Sequence, residues 1–292
     1  MKNLIQLNDA AIKTTLDILL LDRTTEQNII WATNSYNNYG KGYDEKDEII
    51  VESIKGLKTI DIQPRVLKTL EAQKNRTKKR AEVFTPSWIC NKMNNSCDEQ
   101  WFGHKNVFNV ENDDKTWTTQ RDKIQFTNKK TWQDYVLLRQ LEITCGEAPY
   151  LVSRYDTTTG ELINIKERIG LLDRKLRVIN ENTNTEDAWF EWVVKAYQST
   201  YGYEFQGDNL LIARTNLILT FVDYMNYKWQ KEPTEEQLKT IATIISWNVW
   251  QMDGLTYEVP LGGPSNKTND KLYSKIIDWQ TNSVNTFCFK DI

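Results

Sequence analysis

The chain has 292 residues, of which 39% are hydrophobic and 26% are charged, and its 37 Lys and Arg against 40 Asp and Glu give a net charge of −3. These values exclude fibrous, collagenous and wholly disordered classes, and they exclude a globally basic nucleic-acid binder. The single histidine and four cysteines, which form no C-x-x-C pair, argue against a Ser-His-Asp hydrolase and predict no metal site. Gly and Pro number only 12 and 6, which favours a helix-rich fold.

The sequence predicts no contact with a membrane. No stretch approaches the ~18 uninterrupted apolar residues of a membrane span, and residues 1–13 lack the apolar region of a signal peptide. The glycine-rich patterns of phosphate-cradling loops, G-x-x-x-x-G-K-[ST] and G-x-G-x-x-G, are also missing. We therefore expect a cytoplasmic protein in which any ligand site is not a glycine-rich, phosphate-binding loop.

Residues 1–80 predict a helical N-terminal region. Apolar residues between Leu4 and Ile30 recur at helical spacing around a polar run, which predicts a helix, a turn and a second short element, and residues 36–47 predict a loop. An amphipathic stretch at 62–80 ends in a dense basic run. Its cations are candidates for contacts with nucleic-acid phosphates, although a solvated helix end is an equally good interpretation. These cations are Lys74, Arg76, Lys78, Lys79 and Arg80.

The next segment predicts a strand, a turn and a helix. Pro86 suits the first turn of a helix, and the polar residues 94–131 predict an irregular surface insertion. The apolar run 135–143 predicts a buried strand, followed by a turn at Cys145 and Gly146 and a helix that opens at 149–152. Such a succession is the opening of a βαβ unit.

Helices and strands continue to alternate towards the C-terminus. The predicted elements are a helix within 156–187, a helix at 189–197, a strand at 201–205, a helix capped by Asp208 and running to Met225, a helix at 234–245, a strand at 247–253, and a tail of short hairpin or edge strands. Strands that alternate with helices imply a parallel sheet, which binds ligands where its strands end. Gly146, Glu204 and Asp253 lie at the three predicted strand ends and are therefore candidate ligand-binding residues.

Four segments in this region resemble, in the same order, motifs of the adenine-N6 DNA methyltransferases of restriction-modification systems, which use S-adenosylmethionine. The segment Phe84–Thr85–Pro86 resembles the F-T-P segment at the methionine end of the cofactor, and residues 141–151 (LEITCGEAPYL) resemble the D-P-x-C-G-x-G-x-F-L turn. Residues 202–205 (GYEF), followed by 213–216 (ARTN), are similar to the acidic second motif and the A-R-x-N-L helix. Residues 252–254 (MDG) resemble the third motif, whose Asp reads the cofactor adenine.

The resemblance covers roughly residues 81–256 and implies an α/β fold. It implies a Rossmann-like methyltransferase sheet within residues 81–260, flanked by the helical region 1–80 and by a C-terminal tail, 261–292, with short strands. The implied cofactor is S-adenosylmethionine. The residues implied to bind it are Phe84, Thr85, Pro86, Glu142, Cys145, Gly146, Ala148, Glu204, Phe205 and Asp253.

Departures from the family pattern bear on activity. Glu142 replaces the family's Asp, and Ala148 replaces its second Gly. The tetrapeptide [NDS]-P-P-[YFW], which holds the flipped adenine, is absent, so no catalytic residue is predicted. Only 39 residues follow Asp253, too few to complete the sheet, so the chain resembles the cofactor half of the family.

Two kinds of function follow from this pattern. The first is an S-adenosylmethionine-binding, adenine-N6 methyltransferase-like protein of a restriction-modification system, in which DNA and a second protein are the expected partners. The alternative is a catalytically inactive pseudo-methyltransferase that acts as a binding or regulatory protein, for example in anti-restriction or defence, or one subunit of a split methyltransferase. The missing tetrapeptide favours the alternative, and we expect no methylation by the isolated chain.

Overall fold

The structure is a computed structural model, and it describes residues 4, 9–55, 62–69, 73, 77, 84–127, 129–264, 271–279 and 285–292. The basic run that was predicted to contact nucleic-acid phosphates lies outside the described residues. This concerns Lys74, Arg76, Lys78, Lys79 and Arg80.

The described residues form eight α-helices and seven strands. The helices are α1 (Ala10–Leu20), α2 (Val51–Lys55), α3 (Ser87–Phe102), α4 (Trp132–Leu137), α5 (Leu171–Asn182), α6 (Glu186–Gln198), α7 (Gly207–Trp229) and α8 (Glu235–Asn248). The strands are β1 (Asn109–Glu111), β2 (Trp117–Thr119), β3 (Gln140–Glu142), β4 (Thr200–Glu204), β5 (Val249–Gln251), β6 (Lys275–Asp278) and β7 (Asn285–Cys288).

A three-stranded parallel sheet forms the centre of the fold, with the strand order β3, β4, β5. Glu142 lies opposite Gly202, and Glu204 lies opposite Gln251, so the three strands end at the same edge, which we call the carboxyl edge. The predicted mixed α/β organisation with a parallel sheet is therefore confirmed. Two antiparallel pairs, β1 with β2 and β6 with β7, accompany this sheet, and the second pair confirms the strands predicted for the tail.

The apolar run 135–143 is a helix and a short strand rather than the one buried strand predicted. Thr131 and Asp134 form a capping box that starts α4, in which Tyr135 and Val136 are buried. Only Gln140–Glu142 then pairs with β4. The predicted strand was wrong because a capped helix of six residues and a buried strand can show the same run of apolar residues.

The helix predicted to open at residues 149–152 does not form there. Ala148 has a φ of 63°, which a right-handed helix excludes, and the backbone amides of Tyr150 and Leu151 donate to the carboxylate of Glu142. The chain then continues without an α-helix until Leu171, where α5 begins. The predicted helix within 156–187 is confirmed by α5.

Residues 94–131 are more regular than the predicted surface insertion. Helix α3 continues to Phe102 and ends at Gly103, whose φ of 82° is the left-handed conformation typical of a helix C-terminus. The β1–β2 hairpin follows. Polarity was misleading here because polar side chains of α3 are buried with hydrogen-bond partners: Asn91 bonds Asn109, and Asn94 donates to two backbone carbonyls.

The cap of the long helix α7 lies two residues before the predicted cap, Asp208. Gln206 is the residue before the helix, and Asp208 lies inside the first turn, where its carboxylate accepts hydrogen bonds from Tyr36 and Lys68. The predicted strand at 201–205 and the predicted helices at 189–197 and 234–245 correspond to β4, α6 and α8. Helix α8 continues to Asn248, so β5 is only three residues long and ends at Gln251, two residues before Asp253.

The N-terminal helix shares its core with the sheet. Helix α1 packs against α7 and α8, and a single cluster of buried apolar side chains extends from Ala11 to Val249. Arg214, fully buried on α7, donates to the carbonyls of Leu19, Leu21, Ser246 and Val249, which joins the end of α1 to the end of α8 and β5. None of the helices in the described part of the chain is long and apolar enough to cross a membrane.

Candidate functional site

A cleft of about 700 Å³ opens at the carboxyl edge of the sheet, and we call it the carboxyl-edge cleft. Seven of the ten residues predicted to bind a cofactor line it: Phe84, Thr85, Glu142, Cys145, Gly146, Glu204 and Phe205. Its other lining residues are Met93, Asn94, Cys97, Leu141, Ile143, Thr144, Pro149, Tyr150, Leu171, Gln206 and Asn209. Three sequence segments that lie roughly 60 residues apart thus meet in one place.

Glu204, at the end of β4, connects two loops at this cleft. One oxygen of its carboxylate accepts from the backbone amide of Gly146 at 2.9 Å, and the other accepts from the amide of Gln206 at 3.1 Å. Gly146 has a φ of 54°, the left-handed conformation that favours glycine, and a Cβ there would lie 3.6 Å from the Phe84 ring. Glycine therefore suits the left-handed backbone of the turn after β3, and a carboxylate from the neighbouring strand fixes this turn.

Glu142, at the end of β3, closes the same turn from the other side. Its two oxygens accept from the backbone amides of Tyr150 at 3.3 Å and Leu151 at 3.1 Å. Burial raises the pKa of this carboxyl well above its ordinary value, and the nearby charge of Glu204 raises it further, although the two backbone hydrogen bonds act in the opposite direction.

Cys145 serves as a small buried group between these carboxylates. Burial, with the charges of Glu142 and Glu204, raises the pKa of its thiol well above the ordinary value. A nucleophilic cysteine needs a lowered pKa, so this environment opposes covalent chemistry at Cys145. Its backbone amide donates to the carbonyl of Tyr203 at 2.8 Å, which extends the pairing of β3 and β4 into the turn.

The opposite wall of the cleft comes from the segment before α3 and from α3 itself. Two contacts fix this segment: Thr157 donates to the carbonyl of Thr85 at 3.0 Å, and the amide of Ser87 donates to Asp156 at 2.7 Å. Pro86 precedes α3 and is not a lining residue. The wall consequently presents Phe84 and Thr85 to the cleft, with Met93, Asn94 and Cys97 beside them.

The charge of the cleft is one-sided. Its described lining residues include two carboxylates, Glu142 and Glu204, and no Lys, Arg or His. Arg65 packs its guanidinium carbon 5.3 Å from the centre of the Phe84 ring but is not a lining residue. Such a lining favours a cation or an uncharged polar group, and it disfavours phosphates, which require cationic or densely packed amide donors.

Two further predicted residues, Ala148 and Asp253, do not line the cleft. Ala148 is fully buried within the turn, and its amide donates to the carbonyl of Cys145. Asp253 forms a turn of its own, in which its carboxylate accepts from the amide of Leu255 at 2.8 Å and its backbone pairs with Glu258. The structure therefore brings the turn of residues 141–151 and the acidic residue Glu204 together at the cleft. The residue of the third motif, Asp253, lies outside the lining of this cleft.

Residues 213–216, which resemble the helix after the second motif, act inside the protein. Arg214 holds four carbonyls, as described above. Asn216 donates to the carbonyl of Glu147 and to the hydroxyl of Tyr155, both at 3.1 Å. Tyr155 in turn donates to the Glu147 carboxylate at 2.6 Å. This buried group supports the turn of residues 144–151 from behind the cleft.

Sequence reasoning missed several lining residues. Gln206 and Asn209 lie two and five residues after the end of β4, and the rule that ligands bind after strand ends would have pointed to them. Met93, Asn94 and Cys97 gave no such signal, because their segment was predicted to be partly irregular. Among the described residues, no group of three or more His, Cys, Asp or Glu side chains could hold a metal ion.

Comparison of the chain with protein-family models, with curated proteins and with solved structures finds no match.

Proposed function

We propose that the carboxyl-edge cleft binds S-adenosylmethionine and that the chain is a methyltransferase-like protein without an adenine acceptor site of its own. The observation that carries this proposal is the hydrogen bond between Glu204 and the amide of Gly146. It joins an acid at the end of one parallel strand to a glycine turn after the neighbouring strand. A nucleoside binds in such a crevice, with its ribose hydroxyls on the acid.

The charge of the lining supports this choice of ligand. S-adenosylmethionine carries a sulfonium cation and no phosphate, and the cleft offers two carboxylates and no cation among its described lining residues. Dinucleotides and nucleoside triphosphates carry phosphates that would face Glu142 and Glu204 without a neutralising partner. A cationic, phosphate-free nucleoside therefore fits the acidic lining of this cleft better than the commoner phosphate-bearing cofactors.

The residues that would hold the cofactor follow from their place in the cleft. Glu204 would accept from the ribose hydroxyls, since its carboxylate ends β4 at the cleft beside the amides of Gly146 and Gln206. Phe84 and Thr85 would border the methionine end, as the family resemblance implies. When bound, the cofactor supplies an electrophilic methyl group, and the part of this chain is to bind and orient it.

The proposed function leaves the methyl acceptor unassigned. The sequence contains no [NDS]-P-P-[YFW] segment, so an adenine acceptor pocket would have to come from another chain. This favours one subunit of a split methyltransferase, or a pseudo-methyltransferase that regulates a nucleic-acid enzyme, over a complete enzyme. DNA, a second protein subunit, a restriction-modification system and a cytoplasmic location remain predictions of the sequence.

Calorimetric titration of the purified protein with S-adenosylmethionine and S-adenosylhomocysteine tests the proposal. The Glu204→Gln variant removes the charge but keeps the shape of the side chain, and Asp187→Asn on the exposed surface of α6 is the matched control. We expect saturable binding that weakens about tenfold or more in Glu204→Gln and stays within about twofold in the control. Binding of neither compound to the unmodified protein, or equal loss in both variants, would contradict the proposal.

A further inference from the structure

A second cleft, of about 480 Å³, lies between the β1–β2 hairpin, helix α5, helix α7 and the turn at Ile165–Glu167. Six of its lining residues are cationic, and one, Glu181, is anionic. The cationic residues are Arg121, Lys166, Arg168, Arg174, Arg177 and Lys228. We call this the basic cleft, and it has no lining residue in common with the carboxyl-edge cleft.

Arg168 is the central feature of the basic cleft. Its side chain is only 7% exposed, and one terminal nitrogen donates to Asp223 at 2.6 Å. Its other terminal nitrogen lies 3.9 Å from the buried Asp173 carboxylate, while its Nε and the Nε of Arg174 have no hydrogen-bond partner among the described residues. Buried donors without partners cost free energy, and both arginines line the cleft, so their positive charge acts on any anion that binds there.

Two lysines at the cleft complete the set of donors. Lys166 is exposed and lies with its ammonium 5.8 Å from the centre of the Tyr227 ring. The ammonium of Lys228 donates to the carbonyl of Asn180 at 2.7 Å. Neither lysine forms an ion pair with a carboxylate in the described part of the chain, whereas Arg121, Arg168, Arg174 and Arg177 each do. Among the described residues, therefore, no carboxylate is paired with either lysine to offset its positive charge.

We propose that the basic cleft binds a phosphate group. Planar guanidinium donors suit the oxygens of phosphate, and ammonium groups at the rim add charge without demanding a fixed geometry. The inference is independent of the proposed cofactor site. A phosphate of this kind belongs either to a nucleic-acid backbone or to a small phosphorylated molecule, and the two sources share the chemistry that Arg168, Lys166 and Lys228 recognise.

The test uses the full chain and two probes, inorganic pyrophosphate and a DNA duplex of about 12 base pairs, titrated at several salt concentrations. The cleft variant is Lys166→Gln with Lys228→Gln, because Lys166 is exposed and the change at Lys228 removes one hydrogen bond, to the carbonyl of Asn180. The matched control is Lys195→Gln with Lys239→Gln, which removes the same charge from two lysines paired with Glu191 and Glu235 on the helix surfaces. Circular dichroism checks that both variants are folded.

We expect at least one probe to bind saturably, with about tenfold or greater weakening in the cleft variant and less than about twofold in the control. The phosphate belongs to a nucleic acid if the duplex binds more tightly than pyrophosphate. The slope of log affinity against log salt should then fall in the cleft variant by the equivalent of about two phosphate contacts. A small phosphorylated molecule is the source if pyrophosphate binds and the duplex does not displace it. The proposal is overturned if neither probe binds, or if both variants lose affinity equally.

Discussion

The two clefts of this protein adjoin the same helix, yet they have opposite charge. Leu171, at the start of α5, lines the carboxyl-edge cleft, and Arg174, three residues later on the same face, lines the basic cleft. The first cleft has two carboxylates and the second has six cations. A net charge of −3 therefore conceals two local charge distributions of opposite sign, and our two proposals assign them ligands of opposite sign.

The clefts also differ in how their charged groups are satisfied. The carboxyl groups of Glu142 and Glu204 accept from four backbone amides, so their oxygens are engaged by the turns that they hold in place. Arg168 is paired with Asp173 and Asp223 and Arg174 with Asp98, yet the Nε of each has no hydrogen-bond partner among the described residues. The carboxyl oxygens of the carboxyl-edge cleft are thus each engaged by its own turns, whereas two arginines of the basic cleft keep an Nε without a described partner.

The largest effect is expected from removing the ion pair between the two clefts. Arg174 donates to Asp98, which also accepts from Tyr135 at 2.8 Å and follows Cys97 of the carboxyl-edge cleft along α3. Arg174→Met leaves this carboxylate buried without its cation, so we expect the free energy of unfolding to fall by about 3–5 kcal/mol. Urea unfolding followed by tryptophan fluorescence measures the loss.

A second variant separates the lost charge balance from lost packing. Arg174→Met combined with Asp98→Asn removes both charges and keeps an acceptor for Tyr135, so it should recover most of the stability. If the single variant loses less than about 1 kcal/mol, the pair is not the stabilising contact between the clefts.

A smaller effect, which depends on pH, is expected at Glu142. Because the pKa of this carboxyl is raised in the folded protein, the unfolded chain loses its proton first as the pH rises. The folded state is therefore penalised from about pH 4.5 upwards, and the penalty stops growing once the folded pKa is passed. The stability of the protein relative to Glu142→Gln should decline in this window, with a limiting slope of about 1.4 kcal/mol per pH unit.

Urea unfolding of both proteins between about pH 4 and pH 8 measures this decline. The surface variant Asp187→Asn is the reference, and its stability relative to the unmodified protein should change little over the same range. A difference between the unmodified protein and Glu142→Gln that stays flat, or that grows with pH, would mean that the carboxylate is better stabilised by Tyr150 and Leu151 than its burial indicates.

The smallest effect is expected at Asp253, and it sharpens the definition of the carboxyl-edge cleft. The carboxylate accepts from the amide of Leu255, an interaction that Asn can keep, and Asp253 does not line the cleft. Asp253→Asn should therefore change the affinity for S-adenosylmethionine by less than about twofold, as measured by calorimetry. A loss equal to that of Glu204→Gln would instead assign Asp253 the adenine-reading role that the family resemblance implies.

Much of the α/β fold could be predicted from the sequence, because its longer elements carry strong local signals. The existence of α7, the helix predicted from residue 234 and the turn at Gly146 follow from spacing and residue type alone. The errors fell where local patterns are ambiguous, as at residues 135–143, or where tertiary contacts override them, as at Tyr150, whose amide is taken up by Glu142.

The two clefts likewise differ in how far the sequence predicts them. Most of the carboxyl-edge cleft could be predicted, because residues that follow parallel strands meet at one edge of the sheet whatever the rest of the chain does. The basic cleft could not, since its cations come from the hairpin, the turn before α5, α5 itself and α7, segments whose proximity no local pattern encodes. The sequence by itself determined which residues end the strands. Only the tertiary structure decided which distant charges lie together, because long-range packing brings them there.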